Sequence, residues 1–186
     1  MSTVPHAQSL LTAEQFAERP DPGYREELVR GRIVPMPMPK PRQGYICNKA
    51  GRIFGNFVEE HRLGWVFNND TGVITERDPD TVRGADIAFY SYNRLPPGDL
   101  PDSYPAVAPE LVIEVRSPGD RWPEVLAKVA EYLAAGVSVV LVLDDQRRVA
   151  HLFDDDGGHQ MLGPDDELTL PQFLGAFRIA VGRFFD

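Results

Sequence analysis

Two apolar runs, "ELVIEVR" (Glu110–Arg116) and "SVVLVLD" (Ser138–Asp144), flank a segment with helical periodicity. Leu, Val and Ile fill both runs almost without a break, which is the pattern of strands covered on both faces of a parallel sheet. Between them "SPGD" interrupts the chain, a helix is expected from about Pro123 to Ala135, and Gly136 caps it. Such a strand–helix–strand crossover packs its helix back onto the sheet with a right-handed turn. The remaining segments have to be arranged around that unit.

The segments before it read as a small helix, a hairpin, a long helix and more strands. Thr12 and Gln15 form a capping box, so "TAEQFAERP" predicts a short helix ending near Pro20. "YREELVRGRIVPM" predicts two short strands around Gly31. From about Arg42 to His61, the apolar residues Ile46, Ile53, Phe54, Phe57 and Val58 share one helical face, with Gly64 as the stop. "WVFNN", "GVITE" and "ADIAFYS" are three strand candidates, and the proline-rich "NRLPPGDLPDSYPAVAP" predicts an exposed connection.

After the crossover come two short strands, "RVAHLF" and "HQML", then "DDELTL" and a last apolar piece, "FRIAVGRFF". No internal repeat or linker interrupts the 186 residues, so a single α/β domain over 1–186 is expected.

Composition removes some functional classes. No apolar run reaches the roughly 18 residues of a membrane helix, and the first residues lack the basic start and apolar stretch of a signal peptide, so a cytoplasmic location is the expectation. Cys47 is the only cysteine, which leaves no intrachain disulfide and suggests a small apolar filler in a helix. His6, His61, His151 and His159 have no zinc-like spacing. The net charge of −9 argues against broad affinity for nucleic acid, though not against a local basic groove.

One residue in the first apolar run does not belong to a core. Glu114 shares a strand face with Val112 and Arg116, and an isolated ionised carboxylate in a dry interior takes up a proton unless something compensates it. Three compensations are open: a side-chain cation, a hydrogen-bond network, or a metal ion. "GADIAFY" is a second apolar strand holding one acid, Asp86. If the two strands pair, Asp86 and Glu114 converge, and a hard divalent cation such as Mg²⁺, Mn²⁺ or Ca²⁺ would remove their repulsion. Lys128 follows Val125 at i+3 beside the apolar stripe of the crossover helix and can reach toward Glu114. Arg116 is a further cation on the same strand. The plainer alternative is a structural ion pair between Glu114 and Lys128 or the surroundings of Arg116.

In order, "YREELVRGRIVPMP", "VRGADIAFY", "ELVIEVRSPGDR" and "KVAEYLAAGVSVVLVLD" resemble a widespread bacterial family of restriction endonuclease-like proteins within the PD-(D/E)XK nuclease superfamily. The resemblance runs from about Tyr24 to Phe177. It implies a restriction endonuclease-like α/β/α core around a mixed sheet, with additional antiparallel strands. It also implies Mg²⁺-dependent hydrolysis of a phosphodiester, with Mn²⁺ as a substitute. The family's motif aspartate falls on Asp86, its sheet glutamate on Glu114, and its helix-borne lysine on Lys128. An extra acid near the metal falls on Glu27, and the backbone carbonyl of Val115 completes the implied metal set. Arg116 stands where the parent superfamily carries its lysine; arginine stays charged and is expected to hold phosphate rather than act as a base. The usual proline before the aspartate is Ala85 here, and a histidine often found early in the long helix is replaced by Gln43.

The sequence therefore predicts a metal-dependent endonuclease acting on DNA, with Asp86, Glu114 and Lys128 catalytic. A two-fold homodimer is expected if both strands are cut. The competing reading is a catalytically silent binding or regulatory module, for nucleic acid or protein, on the same fold.

Overall fold

The computed structural model describes residues 10–186. His6 and the rest of the first nine residues lie outside the described residues. Helix α1 (Ala13–Ala17) starts at Thr12, whose hydroxyl accepts from the Gln15 amide while the Gln15 side chain returns a bond to the Thr12 amide. Strands β1 (Glu26–Val29) and β2 (Arg32–Pro35) form the expected hairpin. Its turn is Arg30–Gly31, with φ of 49° and 72°, a left-handed pair of the kind that matches strand twist.

Helix α2 (Pro41–His61) buries Ile46, Ala50, Phe54 and Val58. Its stop is Arg62 in the left-handed conformation and not Gly64. Gly64 instead opens β3, where a Cβ would lie 2.0 Å from the carbonyl oxygen of Tyr90. "WVFNN" and "GVITE" are one strand, β3 (Gly64–Glu76), rather than two. An irregularity between Asn68 and Thr71 absorbs Asn69 and Asp70, both at positive φ. Polar residues there look like a turn in the sequence, but they form a bulge that lets the ladder continue.

Strand β4 (Thr81–Ser91) is longer than expected and organises the sheet. One of its edges pairs with β3 throughout. The other edge is shared: β1 meets it at Val82, and β5 (Leu111–Arg116) meets it from Ile87 to Phe89. Between those two partners, Arg83 to Asp86 face a gap.

The crossover then runs from β5 through α3 (Trp122–Ala134) to β6 (Val139–Asp144), which lies parallel to β5. β7 (Val149–Asp154) and β8 (His159–Leu162) extend the sheet antiparallel. The order is β2-β1-β4-β5-β6-β7-β8 with β3 also on β4, giving eight strands.

Alternation along the central strands sorts two cores. Ile87, Phe89, Leu111, Ile113 and Leu141 face α2, while Ala88, Tyr90, Val112, Val140 and Val142 face α3. The result is an α/β/α arrangement around a mixed sheet.

β9 (Glu167–Thr169), a short α4 (Pro171–Leu174), β10 (Arg178–Ala180) and a final 3₁₀ turn (Val181–Phe184) close over α2. Phe177 and Phe184 stack on Phe54 at 4.8 and 5.8 Å. The connection after β4 is irregular, as expected, and Arg94 pins it to Ala108, Pro109 and Gly136 carbonyls at 2.9 Å each. Among the described residues no helix is long and apolar enough to cross a membrane.

Candidate active site

The gap on β4 is where the acids meet. Ile87 pairs with Ile113 and Ala88 with Val112, so the register carried one step further sets Asp86 across from Glu114. The ladder ends there because the Asp86 carboxylate takes the place of a backbone acceptor: the Val115 amide donates to Asp86 Oδ2 at 2.7 Å. The two acids therefore open on one cleft of about 460 Å³. Lys128, Glu27 and Arg116 line the same cleft.

Glu114 is held from below by Tyr132, whose hydroxyl donates to Oε1 at 2.8 Å. Tyr132 is fully buried on the sheet-facing side of α3. Burial pushes the Glu114 carboxyl up to about 7; Asp86 adds to the rise, and Lys128 and Tyr132 oppose it. Burial also raises Asp86, against the Val115 amide and the charge of Lys128. The half-buried Cys47 thiol of α2 lies beside Asp86 and packs on the core, as its filler reading predicts. Burial and the two acids push that thiol up, so it stays neutral.

Lys128 does not pair with Glu114. Its ammonium donates to Glu27 Oε1 at 2.8 Å, while Arg83 donates to Glu27 Oε2 at 2.8 Å and the Gly84 amide to Oε1 at 3.2 Å. Arg83 in turn grips both oxygens of Glu131, at 2.6 and 2.8 Å. Glu27 is only 3% exposed. Burial raises its pKa, yet Lys128 and Arg83 outweigh that, so it stays ionised below its ordinary range. Burial lowers Lys128, but Glu114 and Glu27 more than offset it, so the amine stays protonated.

Arg116 lines the cleft, but its guanidinium bonds to groups other than Asp86 and Glu114. It donates to Asp144 and Gln146 at 3.2 Å each and to the Asp120 carbonyl at 3.0 Å, lying 5.0 Å from the Trp122 ring centre. The carbonyl of Val115 accepts from Gln43 Nε2 at 3.3 Å.

The structure brings Asp86, Glu114, Lys128 and Glu27 to one cleft; sequence reasoning missed the contacts of Tyr132, Arg83 and Glu131. Tyr132 lies one helical turn after Lys128, so spacing on α3 held that signal. Nothing local pointed to Arg83, because its partners come from β1 and α3.

The donors suit a hard divalent cation. Among the described residues no three His, Cys, Asp or Glu side chains gather as a metal centre, and Glu27 spends both oxygens on other partners. What remains is Asp86, Glu114 and the Val115 carbonyl. A small donor set of this kind fits Mg²⁺, which keeps waters and phosphate oxygens in its shell. Burial is the main cause of the raised Glu114; Asp86 adds to it, and the cation of Lys128 only partly offsets it.

Fold and site together define a restriction endonuclease-like α/β architecture with an acidic cleft at the point where β1 and β5 part. A family model described as "Putative restriction endonuclease", Uma2, matches residues 13–182. The chain belongs to that family. It is similar to a crystal structure entitled a "putative nuclease belonging to DUF820" from Anabaena variabilis ATCC 29413, with a TM-score of 0.81 and 19% identity over 94% of this chain and 97% of that one. At that identity the likeness establishes the fold. No curated protein matches the chain.

Proposed function

We propose that the chain is a divalent-metal-dependent endonuclease that hydrolyses DNA phosphodiesters in this cleft. The observation that carries the reading is the convergence of Asp86 and Glu114 at the gap in β4, one buried acid raised to about 7, with a protonated amine on the neighbouring helix. Asp86, Glu114 and the Val115 carbonyl would hold Mg²⁺, or Mn²⁺ in its place. Held by those residues, such an ion would supply a more acidic water and positive charge to offset the phosphate.

Lys128 is kept cationic by the acids around it, so its part is to orient and neutralise a phosphate oxygen rather than to remove a proton. Glu27 sets the position of Lys128. Tyr132 fixes the rotamer of Glu114, and the Val115 amide fixes Asp86. Arg116 braces the loop that walls the cleft, and any phosphate contact from it would require leaving Asp144.

A second reading is a silent binding module. The closed network of Arg83, Glu27, Lys128 and Glu131 favours it, because that network is satisfied without any ligand. Incubating supercoiled plasmid with Mg²⁺ separates the two. Wild type should relax the plasmid, and Glu114→Ala and Lys128→Ala should not. Equal activity in all three would mark a contaminant and defeat the assignment.

A further inference from the structure

The walls of the cleft bear on what can enter it. Four cations line it: Arg25, Lys40, Arg116 and Lys128. Three are committed. Arg25 is paired with Asp70, Arg116 with Asp144 and Lys128 with Glu27. Among the described residues, Lys40 alone of the four has no acidic partner. Proteins that hold a duplex spread several Lys and Arg contacts over both backbones, and this cleft has no such supply.

Its opposite resource is apolar. The segment joining β2 to α2 contributes Met36, Pro37 and Met38, and α3 contributes Val125. Met38 is 76% exposed at the mouth. Exposed methionine beside a polar site is an adaptable contact surface for a planar group. The lining also includes the small residues Ser117 and Gly119. A volume of about 460 Å³ falls in the range of pockets that enclose a small ligand, roughly 300–1,000 Å³.

Resting on the nuclease reading, we infer that the substrate is an unpaired DNA strand. Its scissile phosphate sits over Asp86 and Glu114, its neighbouring phosphate faces Lys40, and an adjoining base packs against Met36 and Met38. A paired base could not reach those methionines without leaving its stack. Single-strand sites pair sequence-independent stacking of bases, mostly on aromatic rings, with cations along the backbone; here Met36 and Met38 would take the place of the rings and Lys40 would be the cation.

The experiment is cleavage by the full chain, with Mn²⁺, of one labelled oligonucleotide offered alone, annealed to its complement, and as RNA of the same sequence. Supercoiled plasmid runs alongside. The unpaired DNA should be cut at least about tenfold faster than the duplex, and M36A/M38A should raise its KM by about tenfold, more than it lowers kcat.

Equal or faster cutting of the duplex overturns the inference, as does faster cutting of RNA or an M36A/M38A variant with unchanged KM. If plasmid is cut and no oligonucleotide is, the strand assignment falls and the nuclease reading stands. If nothing is cut, both fall.

Discussion

Glu27 holds the ammonium of Lys128 at 2.8 Å with one carboxylate oxygen and the guanidinium of Arg83 at 2.8 Å with the other. One buried acid thus ties together two cations, from β4 and α3, and Glu131 supplies the second negative charge. Removing a single member of such a network leaves charge stranded, at a cost of about 3–5 kcal/mol. Urea unfolding of Glu27→Ala should show a loss of that order. In the same variant Lys128 is no longer aimed, and plasmid cleavage should fall roughly 10–100-fold, as for other residues that orient a catalytic group. Unchanged unfolding together with unchanged cleavage would mean the network is dispensable.

The hydroxyl of Tyr132 is a more selective target. Tyr132→Phe keeps the ring in the core and deletes only the bond to Glu114. A hydrogen bond to a charged group contributes about 1.5–3 kcal/mol, so this variant should lose stability mainly where Glu114 is ionised, above about pH 7. Below that pH the protonated acid can turn to other partners, and the loss should shrink. A deficit of the same size on both sides of pH 7 would assign Tyr132 to packing alone.

Glu114 also gives the metal-free chain a pH signature. Its folded value is raised from an ordinary 4.5 to about 7, so between those limits the folded state binds more protons than the unfolded one. Stability from this group is then greatest at the acid end and falls as pH climbs through that window. Glu27, lowered, has the opposite sign: its contribution is present above the ordinary carboxylate value and is lost at lower pH. Thermal melts across the window in a chelating buffer should show the decline in wild type and a flatter profile in Glu114→Gln. Parallel profiles would show that Glu114 is not buried as described.

Gly64 tests the sheet rather than the chemistry. An added Cβ would lie 2.0 Å from the Tyr90 carbonyl oxygen and 2.7 Å from the Cα of Ser91, atoms of the paired strand that cannot rotate aside. Gly64→Ala should therefore cost more than the ~1–3 kcal/mol usual for overpacking, read by chemical denaturation. A near-neutral result would mean β3 and β4 separate at that end.

The crossover, the hairpin and the two long helices were legible from their patterns: β5 as an apolar run broken inside only by Glu114, β6 as a continuous one, α2 as a stripe from Ile46 to Val58. The union of "WVFNN" and "GVITE" was not, since Asn69 and Asp70 have turn chemistry and only pairing with β4 turns them into a bulge. At the site, Asp86 and Glu114 stood out as lone acids in apolar strands. The partner of Lys128 did not. Spacing placed the amine near the sheet and aimed it at Glu114, on the strand beneath; its actual partner, Glu27, is brought in by β1 from 101 residues away in sequence.

Titration of the metal-free full chain with Mn²⁺, followed by electron paramagnetic resonance, tests the convergence of Asp86 and Glu114 without relying on any substrate. Wild type should take up Mn²⁺ at millimolar concentrations or below, and both Asp86→Asn and Glu114→Gln should weaken that uptake by at least about tenfold, the scale set by losing a ligand-orienting group. Wild type that binds no ion, or variants that bind as well as wild type, would contradict a shared metal site at the gap in β4.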